Sequence, residues 1–159
     1  MDYRPQRSLW AYEKNRSIFT TFGMLFSALE RDSPDAAALL SICSTFGSWK
    51  IPVELIQLGI SDPADSLEGP DRILERIKCL AGNRIGLKAA LDTLVETGVA
   101  KCTRDEGLAI QTISFHGLLC QWTVETMEAY RNDWILLAAY ILASYLEQCG
   151  NKSEFAFVS

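Results

Sequence analysis

Between Gly98 and His116 the spacing of apolar residues changes character, and this change restricts the fold more than any other feature of the sequence. On both sides of it, apolar residues recur at helical intervals. Inside it, Val99-Ala100-Lys101-Cys102-Thr103-Arg104 and Leu108-Ala109-Ile110-Gln111-Thr112-Ile113-Ser114-Phe115 are short and rich in β-formers. The second run alternates, with Leu108, Ile110 and Thr112 on one side. Asp105-Glu106-Gly107 supplies the connection, with a glycine where positive φ is expected. A two-stranded hairpin is marginally stable in water by itself. This one is therefore expected to pack its apolar face on helices, as the only β element of a mainly α chain.

The helical segments are marked by stripes and stops. From about Ser17 to Arg31, Ile18, Phe22, Leu25 and Leu29 fall on one face. Ser33 and Pro34 offer a cap and a first helical residue for a second helix, with a stripe of Ala36, Leu39, Leu40, Cys43 and Phe46 and a stop at Gly47. Pro52 opens a short third helix filled by Val53, Leu55, Ile56 and Leu58 and stopped by Gly59. Residues 60–70 read as an acidic, turn-rich loop. A fourth helix is expected over about Asp71 to Leu80, ending at Gly82-Asn83. A fifth, about Ile85 to Thr97, presents Leu87, Ala90, Leu91, Leu94 and Val95, and Gly98 caps it. After the hairpin a helix runs from about His116 to Tyr130. A last one, about Trp134 to Gln148, is capped by Asn132-Asp133 and ended by Gly150. It is apolar nearly all round, so neighbours are expected on more than one side.

Composition narrows the function classes. The apolar content of 48% is enough for a core without disulfides or metal. The net charge of -5 biases the molecule against nucleic acid and anionic membrane surfaces. Five cysteines lie at irregular spacings with no CxxC pair, and His116 is the single histidine, so zinc has no sequence support. An odd cysteine count behind a charged, non-secretory N-terminus points to a reducing, cytoplasmic setting, with the thiols as small core hydrophobes. The apolar run Trp134 to Leu146 is too short for a bilayer, which needs about 20 residues. No membrane association is expected.

Helices followed by a helix that leads straight into a β-hairpin make the plan of a winged helix. Residues 85–97 stand where a recognition helix would be, and 99–115 form the wing. The expected layout is a lead-in segment (1–15), a winged-helix domain (16–131), a C-terminal helix (132–150) and a tail (151–159).

Several motifs carry a more specific likeness. They are Ser33-Pro34, Ala37-Ala38-Leu39-Leu40 with Phe46, Ile51-Pro52-Val53-Glu54-Leu55-Ile56, and Leu91, Leu94 and Val95 before a glycine and the hairpin. Then come Ile113-Ser114-Phe115-His116-Gly117-Leu118-Leu119-Cys120-Gln121-Trp122 and the helix opened by Trp134. In this order, over roughly residues 16–149, they resemble the winged-helix region that follows the NB-ARC or NACHT core of fungal NOD-like receptors, a group of STAND signal-transduction NTPases. The resemblance implies a switch and interaction module that packs on a nucleotide-binding domain of the same or another receptor chain, with the last helix leading toward helical repeats. It implies ADP or ATP held mainly by that upstream domain, and protein partners. It also implies that His116, at the start of the post-wing helix, senses the nucleotide phosphate. Gly117 departs from the family, which often has proline or aspartate there.

No GxxxxGK[ST] loop or strand ending in paired acidic residues is present in this sequence. The chain alone is therefore expected to carry no cofactor and no NTPase activity. The plainer reading of His116 is a bond to a nearby carbonyl at the strand-to-helix junction. Cys120, at i+4 from His116, is within geometric reach of it, but the pair lacks an orienting third residue and reads as packing. Trp122 and Trp134 read as core, and Trp49 as partly buried in a loop. The alternative function is a winged-helix nucleic-acid binder. Arg84, Lys88 and Lys101 against Asp92 and Glu96 leave a surplus of one positive charge, short of the basic footprint such binding needs.

Overall fold

Why the second expected helix is built as it is becomes plain once its neighbours are seen. In the computed structural model, which describes residues 16–47, 50–59, 80, 83–105, 110–127 and 131–157, helix α1 is Arg16–Asp32 and α2 is Pro34–Phe46. Every residue of α2 from Ala36 to Ser44 is buried. A one-sided stripe was expected. Instead α2 runs through the middle, packed by α1 and by three later helices: α4 (Arg84–Glu96), α5 (Gly117–Thr126) and α6 (Arg131–Phe157). The run Ala36-Ala37-Ala38 lets neighbours approach on several sides. The two serines inside this dry environment donate to their own helix, Ser41 to the Ala37 carbonyl at 3.0 Å and Ser44 to the Leu40 carbonyl at 2.7 Å. Their hydroxyl protons are thus satisfied within the helix itself.

The punctuation around α2 follows the sequence with one difference. Pro34 occupies the first turn, and Gly47 ends the helix at φ 100. The Ser33 side chain makes no capping bond. The backbone of Ser33 links the helices instead, its N–H donating to the Leu29 carbonyl at 2.8 Å and its carbonyl accepting from Ala37 at 3.2 Å.

Strand β1 (Ile51–Pro52) is an addition to the expected β content. It pairs antiparallel with β3 (Ile110–Phe115), and β3 pairs antiparallel with β2 (Ala100–Asp105), in the order β1-β3-β2. The expected hairpin is present but is not the only β element. Two residues are too few to show an alternating pattern, and Pro52 read as a helix opener. Proline lacks the N–H for a central strand, and here it sits on the edge. The Ile51↔Ile113 register also decides which face of β3 is covered. Ile113 and Phe115 are buried, whereas Thr112 lies on the opposite face, its hydroxyl 2.9 Å from that of Thr103.

Helix α3 (Val53–Gly59) follows β1 at once, and Gly59 is the last described residue before position 60. Helix α4 starts from Asn83, whose side-chain oxygen accepts the N–H groups of Ile85 and Gly86, each at 3.1 Å. Asn83 thus caps the start of this helix, and its own N–H donates to the Leu80 carbonyl at 3.3 Å. Gly98, at φ 73, reverses the chain into β2, with Val99 N–H donating to the Leu94 carbonyl at 3.0 Å. Apart from the buried residue Leu80, the expected fourth helix lies outside the described residues, as do the 60–70 loop, Trp49, the 1–15 segment and residues 106–109 of the hairpin, whereas Asp105, expected in the connection, pairs with Ile110 at the end of β2.

Helix α6 spans 27 residues and passes through Gly150, where a stop was expected. A Cβ at Gly150 would meet nothing within 4 Å, so neither packing nor positive φ calls for a turn there. Trp134, Leu137, Ala138 and Ile141 face the core, and Gln148 donates to the Leu58 carbonyl at 2.7 Å. Among the described residues the architecture is mainly α, with six helices and one small antiparallel sheet. No described helix is long and apolar enough to cross a membrane.

Candidate functional site

The junction between β3 and α5 is where the sequence reading places its one site residue. Phe115 ends β3 with its ring buried, and the next residue, His116, is exposed. His116 is the N-cap of α5, with extended backbone at φ -66 and ψ 128. Its Nδ1 accepts the N–H of Leu118 at 3.2 Å, and its carbonyl accepts from Cys120 at 3.1 Å. The imidazole therefore bonds an N–H group, not the carbonyl expected from the plainer reading. An acceptor at Nδ1 puts the proton of the neutral ring on Nε2. The result is an N–H donor on an exposed ring beside the positive end of a ten-residue helix.

Cys120 does not join this histidine. It is 4% exposed and lies against α2, where Ser44 and Cys43 are its neighbours. Burial pushes the Cys120 thiol up, offset in part by its hydrogen bond with Ser44. Burial, and then the nearby Cys120, push Cys43 up further. Both thiols are held protonated, and a protonated thiol is a poor nucleophile. The contact across α2 and α5 is packing, as the spacing analysis favoured, but with Cys43 and Ser44 rather than with His116.

Trp122, on the same helix as Cys120, meets Phe22 and Phe26 of α1 edge-on, at ring centroid distances of 6.1 and 6.0 Å. It is half-buried, and Trp134 is buried. Both serve the core, as expected.

A second concave feature lies away from His116. A groove of about 460 Å³ runs between α3, α4 and the sheet, lined by Val53, Gln57, Leu91, Glu96, Cys102 and Gln111 among others. Lys88 and Asp92 on its rim form an ion pair at 2.9 Å, and Gln111 Nε2 donates to Cys102 Sγ at 3.1 Å. His116 is not among its lining residues. No motif in the sequence pointed to this groove, because its walls come from four separate elements.

Comparison with protein-family models, curated proteins and solved structures finds no match. Among the described residues, no group of three or more histidine, cysteine, aspartate or glutamate side chains is placed to hold a metal ion. The capping role of Asn83 was missed by sequence reasoning, although its signal was present, an asparagine just ahead of an apolar helical run.

Proposed function

We propose that this chain is a non-catalytic switch and interaction module of winged-helix design, similar to that of fungal NOD-like receptors. In this reading it packs on a nucleotide-binding domain and responds to whether ADP or ATP is held there. The element order supports the winged-helix part. Among the described residues, a central helix leads to a two-residue strand, then to α3 and α4 and then to a hairpin, and the early strand pairs with the second strand of the hairpin.

The observation that carries the functional part is the geometry of His116. Its Nδ1 is engaged by its own helix, so the ring is oriented and its donor is Nε2, on an exposed residue at a helix start. That combination of an oriented N–H and a helix N-terminus suits a phosphate oxygen brought by another domain. The mechanism is a shift between two packings, one stabilised by the contact of His116 with bound ADP and one free of it. Contact with one nucleotide state and not the other supplies the differential free energy that such a switch requires. The cytoplasm is the compartment this reading implies.

No observation favours the nucleic-acid reading over this one. Lys88, on the helix that would enter a groove of the duplex, is paired with Asp92, and Glu96 adds negative charge to the same helix.

Calorimetry tests the proposal. The isolated chain should show no ADP affinity better than about millimolar, because it supplies one donor and no phosphate loop. Joined to its nucleotide-binding domain, His116→Ala should weaken ADP binding about 10- to 100-fold, the loss of one hydrogen bond to a charged group. Micromolar ADP binding by the isolated chain, or an unchanged affinity in the joined variant, would overturn it.

A further inference from the structure

The groove between α3, α4 and the sheet combines an apolar floor with a rim of one net sign. Val53 and Leu91 are buried in the floor, and Val95 beside them is left 40% exposed. On the rim, Lys88 and Asp92 neutralise each other at 2.9 Å, whereas Glu96 has no ion-pair partner among the described residues. Glu96 is also the last residue of α4, where the helix dipole is already negative, and no basic residue stands in that last turn. Asp92, one turn earlier, adds a like charge on the same side of the helix. Such a helix end favours a cation, and the cation nearest to hand, Lys88, is engaged by Asp92.

We propose that this groove binds a small organic amine with an apolar body, the body resting on Val53, Leu91 and Val95 and the ammonium held by Glu96. The groove measures about 460 Å³, within the roughly 300–1,000 Å³ of small-molecule sites. On the sheet side, Gln111 Nε2 donates to Cys102 Sγ at 3.1 Å, which orients the amide and leaves its Oε1 as a second acceptor for the ammonium. Charge selects the ligand. An anion is repelled by Glu96 and by the end of α4. A neutral molecule gains the floor but leaves the carboxylate without a partner. His116 does not line the groove, so this site stands apart from the reading of that residue. The carboxylate is exposed, so it contributes a factor of about 2 to 5 in affinity, and the floor supplies the rest.

Amide chemical shifts of the full chain test the site directly. Phenylbutylamine, titrated to about 10 mM near neutral pH, where it is protonated, should move the signals of Val95, Glu96, Cys102 and Gln111 and leave those of Leu118 and Cys120 in place. The expected dissociation constant is on the order of 1 mM. Phenylbutanol should bind about threefold more weakly, and phenylbutanoate more weakly still. Glu96→Gln should weaken the amine about threefold and leave the alcohol unchanged. Lys88→Gln should act in the opposite direction and tighten the amine by a similar factor, because it releases the carboxylate of Asp92.

An alcohol that binds as well as the amine, or an amine indifferent to Glu96→Gln, would overturn the proposal. So would weaker binding by Lys88→Gln, or no movement of the groove signals at the top of the titration. Tighter binding of a blocked tripeptide with a central lysine would overturn it too, since the groove would then be a peptide site.

Discussion

Gly59 lies so close to Ile141 that a Cβ on the glycine would stand 2.5 Å from Ile141 Cγ2 and 2.6 Å from the Ile141 carbonyl oxygen. The last residue of α3 thus touches the backbone of α6, and the two helices are in close contact along this line. Small residues at such crossings let helix axes approach, and the Gln148 bond to the Leu58 carbonyl reinforces the same contact.

Gly59→Ala should therefore be destabilising although alanine is the better helix former. The obstructing atom is a main-chain oxygen, so a side-chain rotation alone does not relieve the overlap, and α6 must move. The expected loss is about 2–3 kcal/mol, at the upper end for a small-to-large change, read from urea denaturation at constant m-value. An alanine variant as stable as the parent would show that α3 and α6 are packed less closely.

The two side-chain caps give a matched pair of predictions. Asn83→Ala removes the acceptor for two N–H groups and should lose about 1 kcal/mol. His116→Ala should lose roughly 0.5–1 kcal/mol, since one N–H loses its acceptor. His116→Asn should restore that stability, because asparagine is a favoured cap, yet it should not restore nucleotide sensing. Thermal melts of the three variants separate the roles. Full sensing in His116→Asn would mean that the residue acts only as a cap.

Alkaline pH should expose the buried thiols. Cys43 and Cys120 both titrate above the ordinary thiol value of 9.0 because burial disfavours the thiolate. As pH rises through that value the unfolded chain releases these protons while the folded chain keeps them. Their contribution is therefore fully present below about pH 9 and is lost as the pH climbs toward the folded values. Denaturation between about pH 8 and 10.5 should show a shallower decline in the Cys43→Ala/Cys120→Ala double variant than in the parent. Equal slopes would mean that these thiols are not dry in the folded state.

Patterns that are local in the chain were legible in the sequence alone. Pro34 and Gly47 bracket α2, Gly98 turns the chain at positive φ, and the switch from helical to alternating spacing marks the hairpin, because each is a response of a few neighbouring residues to backbone geometry. The position of His116 between strand and helix was legible for the same reason. Contacts between distant segments were not. The strand formed by Ile51 and Pro52, the face of β3 that is covered, and the turn of Cys120 toward Ser44 all depend on partners remote in sequence. The same holds for α6. Composition showed an apolar helix, but only the packed structure distinguishes the side held by Gly59 and the core from the side left exposed. Local propensity acts within a turn or two of the chain, whereas burial is decided by whatever the rest of the molecule brings alongside.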